Sequence, residues 1–130
     1  GYTLLLATNT VTINPHVQKT VPFDVRKDFA PIALLASTPF VLVVNPDLPV
    51  RSVSQLVDFA RANPNRLSYA SVGIGTPHHL GMELFRSLTG TTMTHVPYKG
   101  SVPALTDTAT GQTQLMMATI NAAMPFMQGN

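Results

Sequence analysis

The chain has 130 residues, no cysteine, a formal charge of +2 from eight basic and six acidic residues, and 11% charged against 45% hydrophobic side chains. The missing cysteines exclude disulfides and thiolate sites, and no basic run with interleaved aromatics marks a nucleic-acid surface. No apolar run is long enough to span a bilayer, and the length suits one domain with a modest core.

In chain order the pattern alternates strand and helix. Thr3–Ala7 reads as a first strand, followed by the polar loop Thr8-Asn9-Thr10 and a short turn or helix through Asn14-Pro15-His16. Pro22 and Pro31 bracket a surface connection carrying Asp24, Arg26, Lys27 and Asp28. Ile32–Ala36 and Phe40–Val44 are β-rich runs separated by Ser37-Thr38-Pro39, where proline interrupts any ladder, so they form either two strands or one bent strand. Ser52 and Gln55 have capping-box spacing and open a helix with Val53, Leu56, Val57 and Ala60 on one face, ended at Asn63-Pro64.

Strand Leu67–Ser71 comes next, then a glycine-loosened loop and the helix Pro77–Leu88, stopped by Gly90. Met93–Val96 is a further strand, and Ser101 caps a helix with Pro103 in its first turn that ends at Gly111. Thr113–Met117 is another strand, with Met116 and Met117 reading as core, and Ala122–Met127 begins a helix. This order with short loops argues for an α/β fold: a mainly parallel sheet flanked by helices.

The chemistry concentrates in Ser71-Val72-Gly73-Ile74-Gly75-Thr76-Pro77-His78-His79-Leu80. Thr76 takes the N-cap position and Pro77 the first helical position, leaving backbone N–H groups on the positive end of the helix dipole. Gly73 and Gly75 let a ligand approach the backbone, and the natural guest is a small anion. A phosphate loop needs Lys-Ser/Thr after its last glycine, and a dinucleotide fingerprint needs a third glycine where His78 stands. Carboxylate therefore fits best, while the plainer reading is that the glycines only permit a tight turn.

These residues, with His95-Val96-Pro97-Tyr98-Lys99-Gly100 and Gly111-Gln112, resemble the tripartite tricarboxylate transporter substrate-binding proteins, also called Bug receptors. Gly1–Leu6, Ile13-Asn14-Pro15-His16, Asp28-Phe29-Ala30-Pro31 and Val43-Val44-Asn45-Pro46 match in the same order, so the resemblance covers nearly the whole chain. It implies a periplasmic-binding-protein-like fold of type II with two α/β lobes around a cleft. Because members are about twice as long, it also implies an internal piece: residues 1–38 as part of the first lobe and 39–130 as the second, without the return crossover. A secretory signal would not be visible in such a piece. The function implied is that of a periplasmic receptor that captures a small organic carboxylate and delivers it to the permease subunits of a membrane transporter. The same resemblance leaves open a ligand-sensing domain for a signalling system.

Ligands in open α/β sheets sit beyond the carboxyl ends of the strands. That rule brings Thr8–Thr10, Ser71–Thr76, Tyr98–Ser101 and Ala118–Asn121 to one rim. The expected ligand contacts are Thr8, Asn9 and Thr10 from the first lobe, and Ser71, Gly73, Gly75, Thr76, His79 and Ala118 from the second. His79 stands where the family commonly has His; it either bonds the ligand or its loop, or satisfies a backbone carbonyl in the first helical turn. His78 replaces a small polar residue and either faces solvent or narrows the cleft. Lys99 either adds charge to the cleft or is a solvated turn residue, and Tyr98 packs with its hydroxyl on a backbone group. Ala118-Thr119 stands where the family usually has an Asp, which disfavours an amino acid ligand; Gln114 also stands where an acidic residue is common, and is expected to bear on structure and not on specificity.

Adjacent His78 and His79 lack the i, i+4 spacing of a helical metal site, and Glu83 is the only glutamate, so neither metal nor cofactor is expected. An enzyme would have to be a hydrolase pairing Ser71 or Ser101 with His79 or His95. That reading lacks a nucleophile elbow and an acid to orient the base. An uncovered first-lobe segment would also leave apolar surface and strand edges free, so the isolated chain is expected either to self-associate, by strand exchange for example, or to keep its first segment poorly ordered.

Overall fold

The computed structural model describes residues 2–127. Four strands form one sheet in the order β1-β4-β2-β3, with β1 at Phe40–Val44, β2 at Ser68–Ser71, β3 at Thr94–Pro97 and β4 at Leu115–Thr119. β2 runs parallel to β3 and to β4, pairing Tyr69 with His95 on one side and with Leu115 on the other. β1 runs antiparallel to β4, pairing Phe40 with Thr119 and Val44 with Leu115. The sheet is thus mostly parallel, with one antiparallel edge strand.

Helix α1 spans Thr10–Val17, and α2 (Val53–Ala62) and α3 (Pro77–Thr89) cover one face of the sheet. Their core joins Leu56, Ala60 and Met82 to Leu67, Tyr69, Met93 and Leu115. Helices α4 (Ser101–Ala109) and α5 (Ile120–Met127) cover the other face, where Ala104, Leu105 and Ala123 meet Ala70, Met116 and Ala118. Period-two alternation explains the division: Tyr69 and Ser71 point to one side of β2, Ala70 to the other. Buried side chains dominate both layers, each removing apolar area from water at about 25 cal/mol per Å².

The caps follow the local chemistry. The Ser52 hydroxyl accepts from the Gln55 amide at 3.2 Å, and Gln55 Oε1 accepts in return from Arg51 N at 2.7 Å, one residue earlier than a strict capping box. Thr76 Oγ1 accepts from the His79 amide at 3.4 Å, and Gly90 ends α3 in the left-handed region at φ +62. Asn45 is buried and donates Nδ2 to the carbonyls of Thr108 and Ala109, closing the carboxyl end of α4. Ser101 is the first residue of α4, not its cap, because Gly100 takes that position without a side-chain bond.

Two expected strands are absent. Residues 3–7 and 32–36 belong to no element, and Leu4, Leu6, Ile32 and Leu34 are more than four-fifths exposed. Apolar and β-branched residues make a strand only against a neighbouring ladder, and these runs have none among the described residues. The strand expected at Thr113–Met117 starts two residues later, because the Thr113 side chain bonds Thr108 Oγ1 at 2.9 Å before the ladder begins.

Candidate functional site

The loop between β2 and α3 lies at the carboxyl end of the parallel strands. Within it the side-chain hydroxyls turn inward. Ser71 is fully buried, and its Oγ accepts from the Gly73 amide at 3.1 Å and lies 2.7 Å from His95 Nε2. Thr76 Oγ1 donates to the Gly73 carbonyl at 2.7 Å. The Gly75 amide donates to His79 Nδ1 at 3.4 Å. The amides of Ile74 and Thr76 have no acceptor among the described residues, so they remain available to a guest at the positive end of α3.

Beneath the loop lies a polar cluster set into the α3 side of the sheet. The rings of Tyr69 and His95 stack at 4.9 Å and 17°, a direct result of their register across β2 and β3. His79 comes down from α3 to meet His95 at 4.4 Å. One helical turn further on, Glu83 accepts from the Tyr69 hydroxyl and from Arg86 Nη1. Burial holds the His95 ring below the ordinary imidazole value, and the charge of a protonated His79 would act in the same direction. Burial also raises the Tyr69 phenol, helped by its bond to Glu83. Lower in the cluster, the charges of Glu83 and Arg86 are paired with each other.

His79 thus bonds its loop, as one of its two sequence readings had it, through a backbone amide and not a carbonyl. His78 neither faces solvent freely nor finds a partner: its ring nitrogens are buried without a hydrogen bond among the described residues, and the ring packs edge-on against Phe40 at 5.0 Å. Tyr98 donates to Asp107 Oδ2 at 2.8 Å in place of the backbone group expected. Lys99 is exposed.

The remaining expected contacts divide. Asn9 precedes α1 in helical conformation without a side-chain cap bond, Thr10 is the first residue of α1, and Thr8 Oγ1 donates to Thr10 Oγ1 at 3.1 Å. Helix α1 reaches the loop one to two turns later: a Cβ on Gly75 would sit 3.5 Å from both Asn14 Oδ1 and Val17 Cγ1. The loop is brought to α1 by Asn14 and Val17, then, not by Thr8–Thr10. Ala118 is corrected outright as a rim residue. It lies inside β4 opposite Val41, with its side chain fully buried in the α4–α5 layer, because the ladder with β1 extends β4 to Thr119.

Among the described residues, two surface depressions that stand out lie elsewhere. The larger, about 550 Å³, is bounded by Asn45, Arg66, Gly111 and Gln114 at the amino ends of β2 and β4, away from the loop. No group of three or more His, Cys, Asp or Glu side chains among the described residues is placed to hold a metal.

Tyr69, Glu83 and Arg86 were not singled out from the sequence. The signal was present as the i, i+4 and i, i+7 spacing of Glu83 and Arg86 from His79, and as Tyr69 two residues before Ser71 in one strand. What joins them is the register with His95, which no local pattern reveals.

The sequence pattern of the tripartite tricarboxylate transporter family receptors matches residues 1–130. Among curated proteins, a UPF0065 protein of Bordetella pertussis is 42% identical over 106 residues, which are 81% of this chain and 32% of that protein. An R. palustris protein solved with adipate is 39% identical with a TM-score of 0.80, over 86% of this chain and 38% of that one. A structure described as a periplasmic transporter is 38% identical with a TM-score of 0.86, over 94% of this chain and 41% of that one. The chain thus spans about a third of the length of the curated relatives it matches.

Proposed function

The chain belongs to the tripartite tricarboxylate transporter receptor family, and from that premise we propose that it forms the carboxylate-holding part of a periplasmic solute receptor. The ligand is a small organic carboxylate of the dicarboxylate kind, like the adipate in its R. palustris relative, and the receptor passes it to the permease subunits of a membrane transporter. The observation that carries this reading is the pair of amides, Ile74 and Thr76, left without an acceptor among the described residues at the amino end of α3. Neutral, fixed donors can hold a desolvated carboxylate because they replace its water without bringing a counter-charge that must itself be desolvated.

The division into lobes at about residue 38 has its own support. All four strands and every buried residue among those described lie after it, whereas the described residues before it contribute only α1 and irregular chain. A ligand touching both lobes would shift the population toward a closed form, by no more than its differential affinity for that form. No helix among the described residues is long and apolar enough to cross a membrane.

The Ser71–His95 pair gives no reason to read an enzyme. Ser71 is fully buried, and the only glutamate is occupied by Tyr69 and Arg86, so no carboxylate among the described residues orients His95. The relatives are receptors by family.

Calorimetry of the intact protein against adipate and other mono-, di- and tricarboxylates tests the proposal. Saturable, reversible binding of a dicarboxylate without turnover of model esters is expected. Ester turnover, or indifference to every acid in the panel, would overturn it.

A further inference from the structure

Resting on the receptor function, we propose that His95 and His79 are positioning residues that determine which amides of the Ser71–Thr76 loop face the ligand. The Gly73 amide is drawn inward by Ser71 Oγ, and the Gly75 amide by His79 Nδ1. Those two bonds leave the alternate amides, Ile74 and Thr76, without a partner among the described residues.

Each inward bond depends on an imidazole. Ser71 Oγ lies 2.7 Å from His95 Nε2 and 3.3 Å from the Gly73 carbonyl; the imidazole is the shorter bond, and without it the buried hydroxyl keeps only the contacts within its own turn, a weaker hold on the rotamer that presents Oγ to the Gly73 amide. His79 can accept from the Gly75 amide only with Nδ1 unprotonated, so its ring proton sits on Nε2. The two rings hold one another in place, tilted at 4.4 Å, and His95 is held a second time by stacking on Tyr69. Tyr69 is anchored in turn to α3 through Glu83. The loop therefore rests on rigid elements, β2, β3 and α3, through side chains that need not touch the ligand.

The test separates hydrogen bonding from packing. In the intact protein, His95→Phe keeps a ring on Tyr69 and removes Nε2, whereas His95→Gln returns a polar atom near that position. His79→Phe and His79→Asn do the same for Nδ1, and Ser71→Ala removes the hydroxyl with little change in volume should a Phe variant fail to fold. Adipate affinity, thermal midpoint and the amide resonances of Gly73 and Gly75 are measured for each.

The Phe variants and Ser71→Ala are expected to bind adipate about tenfold more weakly or worse, each moving the amide resonance it controls. His95→Gln and His79→Asn are expected to restore most of the affinity and both resonances. Wild-type affinity and unmoved resonances in the Phe variants would overturn the proposal, as would polar variants that restore nothing at an unchanged thermal midpoint. If the wild-type protein binds no acid at all, the receptor function falls. The Gly73 and Gly75 resonances then still decide the positioning roles: unmoved in the Phe variants overturns them, moved there and restored in the polar variants supports them.

Discussion

The hydroxyl of Tyr69 on β2 donates to Oε1 of Glu83 on α3, and Arg86 Nη1 reaches the same oxygen at 2.6 Å. This is a polar bond between the sheet and the helix that presents the anion loop. Its consequence for acid stability has a definite sign. Burial alone would raise the Glu83 carboxyl, but the bonds from Tyr69 and Arg86 and the nearby positive charges outweigh it and hold it below its ordinary value of 4.5.

A depressed carboxyl contributes stability that is complete above about 4.5 and is lost as pH falls through the lower folded value. Urea midpoints of wild type and Glu83→Gln should therefore converge as pH falls below about 4. At neutral pH the variant should be less stable by about 1–2 kcal/mol, since Tyr69 and Arg86 each lose a charged acceptor on a partly exposed carboxylate. Parallel midpoint curves across the whole range would contradict this account.

His78 should behave in the opposite direction under mutation. Its ring nitrogens are buried without partners among the described residues, and burial lowers its proton affinity from the ordinary 6.5. The neutral ring is favoured in the fold, so its contribution is complete above about 6.5 and diminishes as pH falls below that value. His78→Phe keeps a ring against Phe40 and removes the unmet polar atoms. It should raise stability by on the order of 1 kcal/mol and flatten the slope between about pH 6.5 and 5. A variant less stable than wild type at pH 6 would show that the ring has a partner it needs.

Gly75 adopts φ +76, and its α-carbon faces Asn14 and Val17 of α1. Gly75→Val places a β-branched residue in the left-handed region at a cost of about 1–2 kcal/mol and pushes against α1. Carboxylate affinity in the intact protein should fall by more than tenfold, a larger proportional loss than the change in thermal stability conveys. Amide exchange in α1 should quicken in the same variant. Unchanged affinity would remove the loop from the ligand site.

The 130-residue chain studied alone should self-associate. Tyr2, Leu4, Leu6, Ile32, Leu34 and Leu35 are all more than three-quarters exposed, and grouped apolar surface of this kind finds a partner in water. Sedimentation velocity should show concentration-dependent species, and replacing Ile32, Leu34 and Leu35 with Ser should reduce them. A monomer at every concentration would count against the prediction.

How far the sequence carried the structure follows from where each determinant lies. Helices α2 and α3 were legible because their signals are local: Ser52 with Gln55, Thr76 with Pro77, and Gly90. The strand limits were less so, since β4 ends where its ladder with β1 ends, at Thr119, and that depends on residues some eighty positions away. Ile32–Ala36 had the composition of a strand but no neighbour to pair with among the described residues.

The loop itself was readable, and so were its hydroxyls, yet not their direction. Ser71 turns inward because His95, across the sheet and 24 residues later, offers Nε2 at 2.7 Å. Ala118 looked like a rim residue because β4 was expected two residues too early, at Thr113–Met117 in place of Leu115–Thr119: register is a tertiary fact.

The antiparallel edge has a mechanical meaning. Because β1 and β4 run in opposite directions, the chain enters β1 and leaves β4 at the same end of the sheet, where Ile120 N donates to the Pro39 carbonyl at 3.2 Å. Tension between those two points loads the rungs one after another, starting with Phe40 and Thr119, as a zipper opens and not as a sheared lap joint does. The corner at Pro39 and Ile120 is thus where this edge would open one rung at a time, starting away from the paired parallel strands that carry Tyr69, Ser71 and His95.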